Sequence, residues 1–141
     1  MKTVLLALAL AVSTYFSNAQ EAERAHQGTS ITINVPVQSS EGHVVYGLYN
    51  EANFMQQPLL GLTGEIEDGQ STVTFQDVAP GTYAVVLFHD KNKNNQMDFE
   101  PNGMPKEMYG VSNNVMSFGP PQWSEAKFEV ADTPLVLEIR M

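Results

Sequence analysis

In "SITINVPV", residues 30–37, apolar side chains return at every second position: Ile31, Ile33, Val35 and Val37 fall on one side, Thr32 and Asn34 on the other. A spacing of two marks a half-buried strand, because successive side chains of an extended chain point to opposite faces. "HVVYGLYN" (43–50) is rich in β-branched and aromatic residues and follows turn residues Ser40 and Gly42. It reads as a second strand, expected to lie antiparallel to the first. A strand around Val73 and Phe75 is followed by "VAPG", where Pro80 and Gly81 supply turn chemistry, and then by a strand from Thr82 to His89. Apolar residues occupy nearly every position from Tyr83 to Phe88, so this last strand is expected at the centre of its sheet, covered on both faces. Shorter pieces follow around Tyr109–Val111, Phe118, Lys127–Val130 and Leu135–Ile139. Between Glu51 and Gly64 no clean period survives and Pro58 argues against a central strand, so a loop or short helical turn is expected there.

About seven short strands, regular turn signals and no long helical period together predict an all-β fold, specifically an antiparallel β-sandwich of immunoglobulin-like or prealbumin-like topology. Residues 1–19 read as a signal peptide: Lys2, an apolar run from Val4 to Val12, and small residues at Ser17 and Ala19 before the cut. That run is too short to span a bilayer, which takes about 20 apolar residues. Residues 20–141 are expected to form a single exported domain, in the periplasm or outside the cell. A chain of this size in an oxidising compartment often carries disulfides, yet this one has no cysteine, which excludes both disulfides and thiolate catalysis. The formal charge of −9 becomes −10 when Lys2 leaves with the leader, a balance that repels phosphate backbones and argues against nucleic acid as a partner.

The most informative polar stretch is "HDKNKNNQMDFE", residues 89–100, directly after the most apolar strand. A hard cation such as calcium takes six to eight oxygen ligands, and side chains at alternate positions of a tightly curled loop can all face one centre. Asp90, Asn92 and Asn94 have that spacing, Gln96 falls where a backbone carbonyl ligates, and Asp98 where a carboxylate or its bound water does. Lys91 and Lys93 occupy the outward positions. Compared with an EF-hand loop, Asn95 replaces the turn glycine and Pro101 stands where the bidentate glutamate belongs, so Glu100 or Glu107 would have to supply that carboxylate. The competing expectation is a metal-free turn in which the Asx side chains bond their own backbone.

"GTYAVVLFHDKNKNNQMD", "GMPKEMYGVSNN" and "FGPPQWSEAKFEV" resemble, in that order, the bacterial exported family catalogued as domain of unknown function 2141. Gly81, Tyr83, Ala84, His89, Asp90, Asn92, Asn94, Asp98, Gly103, Pro105, Glu107, Tyr109, Gly110, Ser112 and Asn113 occupy the matching positions. The family carries glycine where this chain has Asn95. The resemblance implies an exported β-sandwich domain and no established activity.

Other residues offer weaker chemistry. His89 beside Asp90 has the composition of a general base or a metal pair, but neighbours on a strand point to opposite faces, which favours a structural histidine. His43 and His26 stand in no motif. Glu107, Tyr109, Ser112 and Asn113 are candidate ligand contacts if their segment folds back toward the polar loop, and Trp123 is a candidate stacking platform. For each the structural role is the stronger expectation. The expected function is therefore an exported, non-enzymatic domain whose Asp/Asn loop is a candidate calcium site. The alternatives are a module that binds a cell-surface glycan, peptide or protein, and a metal-assisted hydrolase built on His89.

Overall fold

A computed structural model describes residues 28–116 and 119–141. The leader expected at residues 1–19 and the strand piece expected at Phe118 both lie outside the described residues. The chain is all-β: β1 (Thr29–Pro36), β2 (His43–Tyr49), β3 (Leu60–Glu67), β4 (Gln70–Val78), β5 (Gly81–Asp90), β6 (Tyr109–Val111), β7 (Phe128–Val130) and β8 (Leu135–Glu138), with a tight turn at Ser112–Asn114 and one helical turn, α1 (Trp123–Ala126). The strands form one curled sheet in the order β6-β5-β2-β3-β4-β1-β8, with β7 also paired to β5.

Alternation builds the core as the sequence predicts. Ile31, Ile33 and Val35 of β1 are fully buried, while Thr32 and Asn34 face outward and bond Thr74 and Thr72 across the β1–β4 pair at 3.0 and 2.9 Å. These inward residues pack with Val44, Tyr46 and Leu48 of β2, Phe75 and Val78 of β4, and Val85 and Leu87 of β5. β5 is interior to the sheet: β2 lines one edge from Ala84 to Asp90, and the other edge is divided between β7 at Gly81–Tyr83 and β6 at Val86–Phe88.

Three expectations need correction. β2 does not pair with β1; it lies between β3 and β5, while β1 lies between β4 and β8. The sheet is not purely antiparallel, because β1 and β8 run parallel from Ile31↔Leu135 to Asn34↔Glu138. The stretch ending at Gly64, read as a loop, contains most of β3. Its period is hidden because Gly64 takes an inward position: a Cβ there would come within 2.5 Å of Ser71 Oγ and 3.1 Å of the Tyr46 ring. The missing side chain lets the Tyr46 hydroxyl cross the core and donate to Ser71 Oγ at 2.8 Å. β3 then turns into β4 through Asp68 and Gly69, both at positive φ (51° and 77°), the geometry of a two-residue hairpin turn.

The curl brings the two edge strands close together. A Cβ on Gly110 of β6 would come within 2.6 Å of the Arg140 carbonyl oxygen and 2.8 Å of the Ile139 side chain, just past β8. Asn114 spans the seam: its amide nitrogen donates to the Glu138 carbonyl at 2.9 Å and its oxygen accepts from the Arg140 amide at 2.8 Å. One side chain thus makes the two bonds that a neighbouring strand would offer the peptides flanking Ile139. Asn114 sits at φ 51°, a left-handed conformation that asparagine tolerates better than most residues. Asn114→Ala is therefore expected to cost about 1–2 kcal/mol from two lost hydrogen bonds and the left-handed backbone, with Asn114→Gly recovering the backbone part only. Melting curves of the three proteins check this, and an alanine variant that melts with the parent would refute it.

Candidate functional site

The polar loop begins where β5 ends. Asp90 is its last strand residue and pairs in register with His43, the first residue of β2. Gly42 precedes it at φ 73°, and a Cβ there would fall on the Asp90 carbonyl oxygen and within 2.6 Å of Lys91 Cα, so only glycine lets the two strand ends meet. The Asp90 side chain is completely buried. Its Oδ2 accepts from the Asn95 amide at 2.7 Å and from His43 Nε2 at 3.0 Å, while Oδ1 has no hydrogen-bond partner. His43 Nε2 also lies 3.0 Å from Asn95 Oδ1. Both of its partners are acceptors, so the ring proton belongs on Nε2.

From Asp90 the chain curls tightly. Lys93 and Asn95 have positive φ (56° and 60°), so asparagine takes the sharp turn where an EF-hand loop has glycine. Asn92 Oδ1 accepts from the Asn94 amide at 3.3 Å and Asn94 Oδ1 from the Gln96 amide at 3.0 Å, two successive Asx turns. The side-chain amides of Asn92 and Asn94 converge on Asp98, donating to its Oδ2 and Oδ1 at 2.7 and 3.0 Å. Lys91 and Lys93 are exposed, and so are Asn92, Asn94, Asn95 and Gln96.

A second excursion then returns to the loop. The Glu100 amide donates to Met104 at 2.7 Å, Gly103 donates back to Glu100 at 2.9 Å, and Phe99 bridges Pro105. The Lys106 amide donates to the Asp98 carbonyl at 2.8 Å, and the His89 amide to the Met108 carbonyl at 2.9 Å. Glu107 lies between those two ties, with 9 % of its surface exposed and Oε2 unpartnered. Burial pushes its carboxyl above the usual range, the charges of Asp90 and Asp98 push the same way, and the amides of Asp98 and Lys91 pull it down. Glu100 and Gln96 are exposed. Among the described residues no three His, Asp or Glu side chains stand close enough together to hold an ion by themselves. Any ion here needs the asparagine and backbone oxygens as well.

The remaining candidates lie elsewhere. His89 Nε2 donates to the Glu41 carbonyl at 2.6 Å, a contact separate from the one its neighbour makes with His43. Ser112 is fully buried; its Oγ accepts from the Val85 amide at 3.1 Å and donates to the Ala126 carbonyl. The Asn113 amide donates to the Glu125 and Lys127 carbonyls, both at 2.9 Å. These two residues dock α1 onto the sheet. Tyr109 packs with Ala84, Val111 and Ala126, and Trp123 meets Phe54 edge-on at 5.6 Å, half-buried. The hollow between Tyr109, Val111, Pro121 and Glu125 has a volume of about 20 Å³, enough for one water.

The site residue that sequence reasoning passed over is His43. It stands in no local motif, and it becomes the partner of Asp90 only because β2 and β5 pair in this register. No curated protein and no solved structure matches this chain. The ordered succession of the β5 strand, the curled Asp/Asn loop, the returning Glu107 segment and the Ser-Asn turn is matched over residues 31–137 by the model of one family, and the chain belongs to it: the uncharacterized proteins conserved in bacteria, DUF2141.

Proposed function

We propose that this chain is an exported, non-enzymatic domain whose 90–98 loop holds a calcium ion that stabilises the fold. One observation carries this: Asp90 is a fully buried carboxylate with an oxygen lacking any partner, at the first position of a loop with liganding spacing. Asn92, Asn94 and Asp98 supply further side-chain oxygens and Gln96 a backbone carbonyl, while Asn95 takes the left-handed turn that the curl requires. Export rests on the leader-like residues 1–19, with the periplasm or the cell exterior as destination. Among the described residues no helix is long and apolar enough to cross a membrane.

The domain is further proposed to be a β-sandwich of prealbumin-like or immunoglobulin-like layout. Support comes from β3, which pairs with β2 over Leu60–Glu65 and with β4 over Ile66–Glu67, passing from one half of the sheet to the other around a shared core. A glycan- or peptide-binding role draws less support, because Trp123 is packed against Phe54 and the hollow beside Tyr109 has no room for a sugar ring. Hydrolysis through His89 draws less again, since its Nε2 is bonded to a backbone carbonyl.

The test is a thermal melt of residues 20–141 in excess calcium and again in chelator. A ligand at one hundred times its dissociation constant adds about 2.7 kcal/mol to a fold that alone binds it. For a domain of this size that raises Tm by several degrees. Asp90→Asn is expected to abolish most of the rise. Identical curves for the parent in both buffers would end the calcium proposal.

A further inference from the structure

We propose that Glu107 is the ligand this loop lacks at its twelfth position, so that the ion filling the loop also latches the 99–106 excursion onto the end of β5. This rests on the calcium reading above and deepens it. The twelfth position itself is Pro101, which has no side-chain oxygen. Glu107 is far from it in sequence but is set over the loop by main-chain bonds on both sides: Lys106 to Asp98 at 2.8 Å, and Met108 to His89 at 2.9 Å. Those ties bring a carboxylate from the far strand of the excursion to the place where β5 gives way to the loop.

Two features point to a cation rather than to a merely structural glutamate. Glu107 Oε2 and Asp90 Oδ1 are both buried and both without a hydrogen-bond partner, and no bond joins them to each other. Of the two buried carboxylates, Asp90 has His43 as its basic partner and Glu107 forms no salt bridge among the described residues, where Lys91, Lys93 and Lys106 are exposed. Unpaired buried carboxylate oxygens are costly unless a cation or a proton satisfies them. Glu100, the other glutamate available to complete the set, is exposed, and its amide and carbonyl form the turn at the tip of the excursion.

The experiment is calcium titration calorimetry on the parent, Glu107→Gln and Glu100→Gln, with melting curves in calcium and in chelator. Glu107→Gln is expected to weaken calcium binding by about tenfold or more, since ligand charge count sets affinity in such loops. Glu100→Gln is expected to bind like the parent. The melting order should also cross over: in chelator Glu107→Gln melts as high as the parent or higher, having lost an unpaired buried charge, and in calcium it melts lower. Cleavage of residues 99–106 by added protease should be slowed by calcium in the parent and not in the variant. If Glu107→Gln binds calcium like the parent, the loop holds its ion without Glu107 and this inference is overturned while the calcium site stands. If the parent itself binds no calcium, the calcium proposal falls and takes the latch with it. Glu107→Met, apolar and of similar length, repeats the comparison should the glutamine variant fail to fold.

Discussion

Gly42→Ala is expected to destabilise the domain by about 3–4 kcal/mol, near the upper end for a single substitution, because a left-handed backbone and a main-chain collision act together. At φ 73° a side chain costs about 1–2 kcal/mol for conformation alone. The added Cβ would then meet the Asp90 carbonyl and Lys91 Cα, which are backbone atoms at the end of an interior strand and have no rotamer through which to yield. Relief requires the start of β2 to move away from the end of β5, which separates His43 from the Asp90 carboxylate it now touches at 3.0 Å. The substitution should therefore lower the urea midpoint and blunt the calcium response, although residue 42 is no ligand. An unfolding free energy within about 0.5 kcal/mol of the parent, the range of an ordinary surface change, would show that the strand ends are not held as described.

Ser112→Ala is expected to cost about 2–4 kcal/mol, because one hydroxyl serves two buried backbone groups and its loss strands both, at about 1–3 kcal/mol each. The Val85 amide loses its acceptor and the Ala126 carbonyl its donor, and both residues are fully buried. The prediction separates two roles. If Ser112 served to contact a ligand, its alanine variant would melt like the parent and fail only in binding. If it docks α1 to β5, the variant melts on the order of 10 °C lower whether or not any ligand is present. Equal Tm values would return Ser112 to the list of contact residues.

Much of the strand content was legible residue by residue. Ile31, Ile33 and Val35 announce one face of β1, and the unbroken run from Tyr83 to Phe88 announces an interior strand, because burial acts through side chains whose direction the extended backbone sets. β3 was missed where Gly64 interrupts the apolar alternation, although Asp68–Gly69 before the polar-apolar alternation of β4 was an available hairpin signal. The curl of the Asp/Asn loop was legible for the same local reason: turn chemistry spans a few residues. Asn95 at positive φ is an outcome that its side chain and position allow to be anticipated.

What alternation could not supply was partners. A strand's period says which side chains go inward and nothing about which neighbour lies alongside, so the parallel β1–β8 pair and the place of β2 between β3 and β5 emerge only when all strands compete for one core. The same holds for chemistry made at a distance. His43 gains its meaning from a carboxylate 47 residues away, Glu107 from two main-chain ties that carry it back over the loop, and Asn114 from an edge strand reached only after the sheet has curled. Local sequence wrote the strands and the loop, since those depend on contacts between near neighbours. Tertiary structure chose the pairings and assembled the buried carboxylates, since those depend on which distant segments can share a dry interior.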